Sequence, residues 1–317
     1  MAPKIKHYRV QAGETQAQVA KALGVAQPTF QRWETGKVEI PAEILAELSK
    51  RYRVTTQELE GRYAPRSVTF YDDNSPSELR HYGECAVHFI GGGQPLVLTI
   101  SEAAFAEGFE SLQEDGTFII IRDLGNRTVA IRRKAISEFY FSAEACDTYG
   151  PDHDTYKLAT PVQMPDHRDW QIVQALANED EPDLSGFARE NVDRVKSMIG
   201  ISDEQFDGLV SQGTIAPEDL EAEKAKIAAI TAEILALSHT VTVRLSSGRQ
   251  RDFPHIDCNL YDCLQQLDLW DAMNEDEGGG MFVLPVEGDY HTAFFPAQAI
   301  DYISLPSHKV EADEQQD

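Results

Sequence analysis

The chain contains no run of about 18 apolar residues, so no segment reads as a membrane-spanning helix. Its opening, MAPKIKHYRVQAGETQ, lacks the apolar stretch of a signal peptide, and the expectation is a cytoplasmic protein with no membrane partner. Cysteine is scarce. Cys85, Cys146, Cys258 and Cys263 form no CxxC pair, which argues against a disulfide framework. The motifs G-x-S-x-G and HExxH are missing, and abundant carboxylates carry no catalytic meaning without geometry, so no enzyme activity is expected. The glycine runs Gly91 to Gly93 and Gly278 to Gly280 are not followed by the Lys and Ser or Thr of a phosphate cradle and read as a turn and a loop. His255 with Cys258 and Cys263, and Asp152, His153, Asp166 and His167 in two Pro-Asp-His segments, lack ligand spacing, so neither a metal nor a cofactor is expected.

The chain has 317 residues, with 42% hydrophobic and 26% charged residues, which is ordinary globular usage and enough for more than one core. Its net charge of -25 is unevenly spread. Aspartate is absent from residues 1–66, where 11 Lys and Arg face 7 Glu for a charge of +4. The other 251 residues hold 17 basic and 46 acidic side chains, a charge of -29. A short basic module therefore precedes a long acidic body, and only the module offers a field suited to nucleic acid.

The first 60 residues read as short helices, with apolar positions three and four apart and recognisable caps. Thr15 stands at a helix start with Gln18 three residues on as its capping-box partner, and Val19, Ala20 and Leu23 follow. Gly24 suits a left-handed helix end. A second helix starts at Gln27 with Pro28 in its first turn, and Phe30 and Trp33 face inward.

Two short helices joined by a tight glycine-containing turn form a helix-turn-helix. The run TQAQVAKALGVAQPTFQRWETGK, Thr15 to Lys37, resembles the Xre-type family that includes the phage Cro and lambda repressors: it has the Thr-Gln opening, the Ala and Leu-Gly of the turn, the Trp-Glu and the following Gly-Lys. The resemblance covers about a fifth of the chain and implies five helices over about residues 4–61, double-stranded DNA as partner, and a homodimer on two half-sites. It implies base contacts from Gln27, Pro28, Gln31 and Arg32. Glutamine can bond adenine N6 and N7, and arginine guanine O6 and N7. Pro28 departs from the polar residue common in the family and offers only an apolar contact. Thr15, Gln16, Thr35 and Lys37 match positions near phosphates.

The acidic body reads as strands around helices. ECAVHFI, PLVLTI, the helix SEAAFAEGFESL, TFIIIRDL, RTVAIRR and ISEFYFS run ββαβββ, and the same order returns in TVTVRLSSG, RQRDFPHI, the helix NLYDCLQQLDLWDAMN, MFVLPVEG, YHTAFFP and IDYISL. At a constant offset of 164, Phe118 falls on Phe282, Thr128 on Thr292, Ala135 on Ala299, Ile136 on Ile300 and Phe141 on Leu305, which points to an internal duplication. Between the copies lie helical segments, the last carrying Leu220, Ile227, Ile230, Ile234 and Leu237 on one stripe. That stripe is read as packing on its own domain, with a partner helix as the alternative.

The fold class expected is α+β: an all-α five-helix helix-turn-helix domain at residues 1–63, a linker at 64–83 with a strand in VTFYDD, a first β-rich module at 84–144, a helical insert at 145–238, a second β-rich module at 239–306, and an acidic disordered tail at 307–317. The function expected is transcription regulation, with repression favoured over activation and the body supplying dimerisation, sensing of a small-molecule effector, or protein contact. The alternative is an antitoxin or defence-associated protein whose acidic body grips a basic protein partner.

Overall fold

A computed structural model describes residues 4–38, 40–54, 56–60, 64–70, 75–143, 161–178, 182–254, 256, 258–273, 280–287 and 290–314. The chain divides into two units, residues 1–65 with 165–167, and residues 66–164 with 168–317.

In the first unit, apolar residues three and four apart seat five helices on one core: α1 (Ile5–Gln11), α2 (Gln16–Ala22), α3 (Gln27–Glu34), α4 (Ala42–Tyr52) and α5 (Thr56–Leu59). Ile5, Val19, Ala20, Phe30, Trp33, Leu45, Leu48 and Leu59 form that core. The capping box is present at the start of α2, where the Gln18 N–H donates to the Thr15 hydroxyl at 3.3 Å and the Thr15 N–H donates to Gln18 Oε1 at 2.7 Å. Gly24 follows α2 at φ +68°, a conformation that costs glycine little, and the Val25 N–H closes the turn on the Ala20 carbonyl at 2.9 Å.

The second unit opens with β1 (Arg66–Ser67), β2 (His81–Phe89), β3 (Leu96–Ser101), α6 (Glu102–Ser111), β4 (Phe118–Arg122), β5 (Arg127–Arg132), a 3-10 turn over 133–135, and β6 (Ile136–Ala143). Then come β7 (Val162–Gln163) and the helices α7 (His167–Ala177), α8 (Arg189–Ile199), α9 (Asp203–Ser211) and α10 (Leu220–Leu237). The chain closes with β8 (Val241–Leu245), β9 (Gln250–Phe253), α11 (Leu260–Met273), β10 (Met281–Glu287), β11 (His291–Pro296), a 3-10 turn over 297–299, β12 (Ile300–Pro306) and α12 (Ser307–Glu314). Both β-rich segments thus run strand, strand, helix, strand, strand, 3-10 turn, strand.

Strand pairing crosses between these segments. One sheet has the order β4-β5-β12-β8-β9, so the β4–β5 hairpin of the first segment extends the three strands of the second. The others are β3-β2-β6, the hairpin β10-β11, and the pair β1-β7. The five-stranded sheet has a core on each face. Phe118, Ala130, Ile303 and Leu305 join the core around α11, while Ile119, Ile121, Val129, Ile131 and Tyr302 join the core containing β2, β3 and α6. A third core gathers Trp170, Ile172, Val173, Val192, Val195 and Ile234. In it α10 turns Ile230, Ile234 and Leu237 toward its own domain, as its apolar stripe requires.

Three expectations change. The tail at 307–317 is not disordered over 307–314, which form α12. Val310 is buried in the core around α11, Lys309 Nζ donates to the Ile256 carbonyl at 3.0 Å, and the Leu260 N–H donates to Asp313 Oδ2 at 2.7 Å. A buried apolar anchor and two side-chain hydrogen bonds thus order a segment whose acidity alone reads as solvated. Residues 315–317 lie outside the described residues. The linker at 64–83 is structured at both ends: β1 pairs with β7, Arg66 Nε donates to Gln163 Oε1 at 2.7 Å, and β2 already begins at His81. Within VTFYDD, Val68 to Phe70 form no strand, and 71–74 lie outside the described residues. The ungapped offset of 164 also meets a one-residue slip. Phe118 pairs with Arg132 and Ile119 with Ile131, whereas Phe282 pairs with Phe295, so Phe282 stands where Ile119 does; the register irregularity between Pro285 and Glu287 absorbs the difference.

Candidate nucleic-acid interface

Helix α3 has two unlike faces. Phe30, Trp33 and Glu34 are buried, with the Phe30 and Trp33 rings edge to face at 6.5 Å. Gln27, Pro28, Gln31, Arg32 and Thr35 are exposed, and their spacing of one, four, five and eight places them along one side of the helix. All four residues expected to touch bases therefore share the outer face. Two of them are long polar side chains with base-matching donors, Gln31 and Arg32, and a third, Gln27, stands at the helix start.

The residues expected near phosphates are placed less uniformly. Lys37 is exposed beyond the end of α3. The Thr35 hydroxyl donates back to the Gln31 carbonyl at 3.0 Å, so its hydrogen must turn from that carbonyl to serve a phosphate oxygen. The Thr15 hydroxyl serves the capping box and donates to Gln18 Oε1 at 2.9 Å. Gln16 Nε2 donates to Glu34 Oε2 at 2.5 Å, so one of its two amide hydrogens is committed inside the domain.

This last bond belongs to a network that the sequence reading missed. Arg9 Nε donates to Glu34 Oε1 at 2.6 Å, and Arg9 Nη1 donates to the Glu14 carbonyl at 2.7 Å. The Arg9 and Glu34 side chains are 11% and 2% exposed. One buried carboxylate thus ties the end of α3 to α1 and to the first residue of α2, which sets the outer face of α3 relative to its flanking helix. The signal lay in the spacing: Glu34 follows Phe30 by four on the inner face, and Arg9 follows Ile5 by four on that of α1. A buried acid calls for a buried cation.

A second tie lies nearer the surface. Arg51 Nε donates to Glu14 Oε2 at 3.0 Å and the Tyr52 hydroxyl to the same oxygen at 3.3 Å. The hydrogen bond from Arg51 holds the Glu14 carboxyl below its ordinary value. Burial pushes the Tyr52 phenol up to about 12 from 10, with the Glu14 charge adding to it. Because the folded value lies above the unfolded one, the contribution is fully present below pH 10 and is lost as pH rises toward about 12. The helical unit should therefore melt earlier in alkali as Tyr52 ionises, and Tyr52→Phe should flatten that part of the profile; an unchanged profile would reject the assignment.

The family model for the helix-turn-helix matches residues 5–59. The N-terminal segment is an Xre-like helix-turn-helix domain. The match runs from the first residue of α1 to the last of α5 and so spans all five helices. No curated protein and no solved structure matches the chain. A helix-turn-helix domain of this kind points to DNA binding in transcription regulation.

Among the described residues no cluster of three or more His, Cys, Asp or Glu is placed to hold an ion. Cys146, Asp152, His153, His255, Gly278 and Gly279 lie outside the described residues. Gly92 and Gly93 turn between β2 and β3 at φ +71° and +91°, and Arg244 pins that turn through the Gly92 and Gln94 carbonyls at 2.6 and 3.0 Å. Among the described residues no helix is long and apolar enough to cross a membrane.

Proposed function

We propose that the protein is a sequence-specific transcription regulator that reads double-stranded DNA with the outer face of α3 and binds as a homodimer on two half-sites. The observation carrying this reading is the two-faced α3: Gln27, Gln31 and Arg32 are exposed on one side, and Phe30, Trp33 and Glu34 are anchored on the other. In this reading Gln27, Gln31 and Arg32 bond base edges and Pro28 packs on a thymine methyl. Thr35 and Lys37 meet phosphates, with Thr15 and the remaining Gln16 amide hydrogen at the start of α2. One small domain buries limited area on DNA, so discrimination calls for two copies in register. Repression is the simpler mode, since occupying an operator needs no further chemistry.

The acidic body, with its charge of -29, stays clear of the duplex and supplies dimerisation or partner contact. We read it as two copies of one module. Supporting this are the 3-10 turns at 133–135 and 297–299 and the strand starts at Ile136 and Ile300, each 164 residues apart. Both copies also carry a register irregularity at the same place, between His88 and Phe89 beside β6 and between Ile300 and Tyr302 in β12.

Selection of bound duplexes from random sequence by the full-length protein tests the reading: a palindromic pair of half-sites is expected, and recovery without any enriched sequence would overturn it. Arg32→Ala should weaken binding to the selected duplex by about 1–3 kcal/mol and relax preference at one base pair. Lys37→Ala should weaken selected and scrambled duplexes alike and lower the salt dependence. Equal losses on both duplexes for Arg32→Ala would remove it from the base contacts.

A further inference from the structure

The two β-hairpins that occupy equivalent places in the ββαβββ order are covered differently. The β4–β5 hairpin is buried on both faces: Ile119, Ile121, Val129 and Ile131 lie in the core with α6, and Phe118 and Ala130 in the core with α11. It also pairs through β5 with β12, Ala130 opposite Ile303 and Ile131 opposite Tyr302. Among the described residues the β10–β11 hairpin has its inner face alone covered, by the core around α11, to which Phe282, Leu284 and Phe295 belong. Its outer face pairs Met281 with Pro296, Val283 with Phe294 and Pro285 with Thr292, none of them charged. Met281 is 49% and Phe294 59% exposed. Among the described residues this hairpin is a sheet of two strands by itself, and β6, the counterpart of β12, ends its own sheet next to β2.

Beside β6 lies a matching apolar surface. Phe139 and Phe141 of β6 are half-buried, their rings 4.9 Å apart, and Phe105 of α6 meets Phe141 at 5.1 Å. Phe109, on the same helix, is 53% exposed. In the second copy the corresponding surface, Ile303 and Leu305 of β12, is the one that receives Phe118 and Ala130 of the β4–β5 hairpin.

We propose that the outer face of the β10–β11 hairpin is a dimerisation surface, seated on the phenylalanine cluster beside β6 of a second copy of this chain. The joint repeats between chains what β5 and β12 already make within one. Carrying the pairing of Ala130 with Ile303 over by 164 residues sets Phe294 opposite Phe139 of the partner, and two such joints related by a twofold axis close the assembly. Self-association of a body with a charge of -29 must use uncharged surface, and this face supplies it. The inference rests on the dimeric reading of the DNA-binding protein and names the element that dimerises.

Sedimentation of the full chain tests it. Wild type should be a dimer at tens of micromolar, and Phe294→Glu should raise the dimer dissociation constant by at least about 100-fold, with an unchanged far-ultraviolet dichroism spectrum because the side chain is exposed. A second measurement does not depend on that variant folding: mixing chains carrying Phe139→Cys with chains carrying Phe294→Cys under mild oxidation should give a disulfide between positions 139 and 294 of different chains, identified by mass spectrometry. A monomeric wild type, a dimer unaffected by Phe294→Glu, or a 139–294 link formed only within a single chain bearing both cysteines would each overturn the proposal. The DNA reading fails separately. If neither wild type nor Phe294→Glu prefers a selected duplex over a scrambled one, the dimer result stands and the operator reading falls.

Discussion

Glu34→Ala is expected to remove about 3–5 kcal/mol from the helix-turn-helix domain, enough to leave so small a unit largely unfolded. The substitution deletes the acceptor for Arg9 Nε and for Gln16 Nε2, and it leaves the Arg9 guanidinium, 11% exposed, without its counter-ion. The loss arises less from the attraction removed than from the charge left buried. Replacing both partners together, Arg9→Met with Glu34→Leu, should therefore recover most of it, and a double variant as unstable as the single one would contradict this account. Hydrogen exchange on the full chain provides the measurement. Amides of residues 5–59 should lose protection in Glu34→Ala, while those of the five-stranded sheet, which belong to the other unit, keep theirs. Specific DNA binding should disappear with that protection, because the outer face of α3 is presented only while its inner face is anchored.

Phe282→Ala is the counterpart in the body, with an expected cost of about 3–5 kcal/mol. Phe282 is fully buried, faces Phe295 across the hairpin with ring centroids 6.5 Å apart, and packs with Leu284 in the core around α11. Truncation leaves a cavity that cannot collapse easily, since one wall is a hydrogen-bonded strand pair and the other a helix. The midpoint of urea unfolding should fall for the unit spanning residues 66–164 and 168–317 while the helix-turn-helix domain keeps its exchange protection. Phe294→Ala, one residue away in the neighbouring pair of the same hairpin, should change the stability of the single chain by less than about 0.5 kcal/mol, because Phe294 is 59% exposed. Equal destabilisation by the two would mean that the outer face is already covered within the chain.

Much of the helix-turn-helix domain was legible from local pattern. The capping box at Thr15, the glycine after α2 and the proline at the start of α3 each act over four residues or fewer, so spacing alone reports them. Periodicity gave the inward Phe30 and Trp33, while Gln27, Gln31 and Arg32 came from the resemblance to the Xre-type family, and all three are exposed. The Arg9–Glu34 pair escaped because its members are 25 residues apart, and a charged residue in a helix reads as solvated until its face is assigned. The strand order of each β-rich segment was legible through turn residues between short apolar runs. The β1–β7 pair was not, since 97 residues separate Arg66 from Gln163.

By itself, the sequence determined the properties that arise within a few residues or by summing charges: the helices, their caps, the order of strands, the two-sided α3, and the separation of a basic front from an acidic body. Tertiary structure alone decided which strands become neighbours, that the β4–β5 hairpin extends the sheet of the other β-rich segment rather than its own, and that α12 is ordered by Val310 and Asp313. The reason is physical. Helix geometry and charge are carried by the local chain, whereas strand edges present the same donors and acceptors everywhere, so the choice of partner rests on long-range burial of apolar faces that no local pattern records.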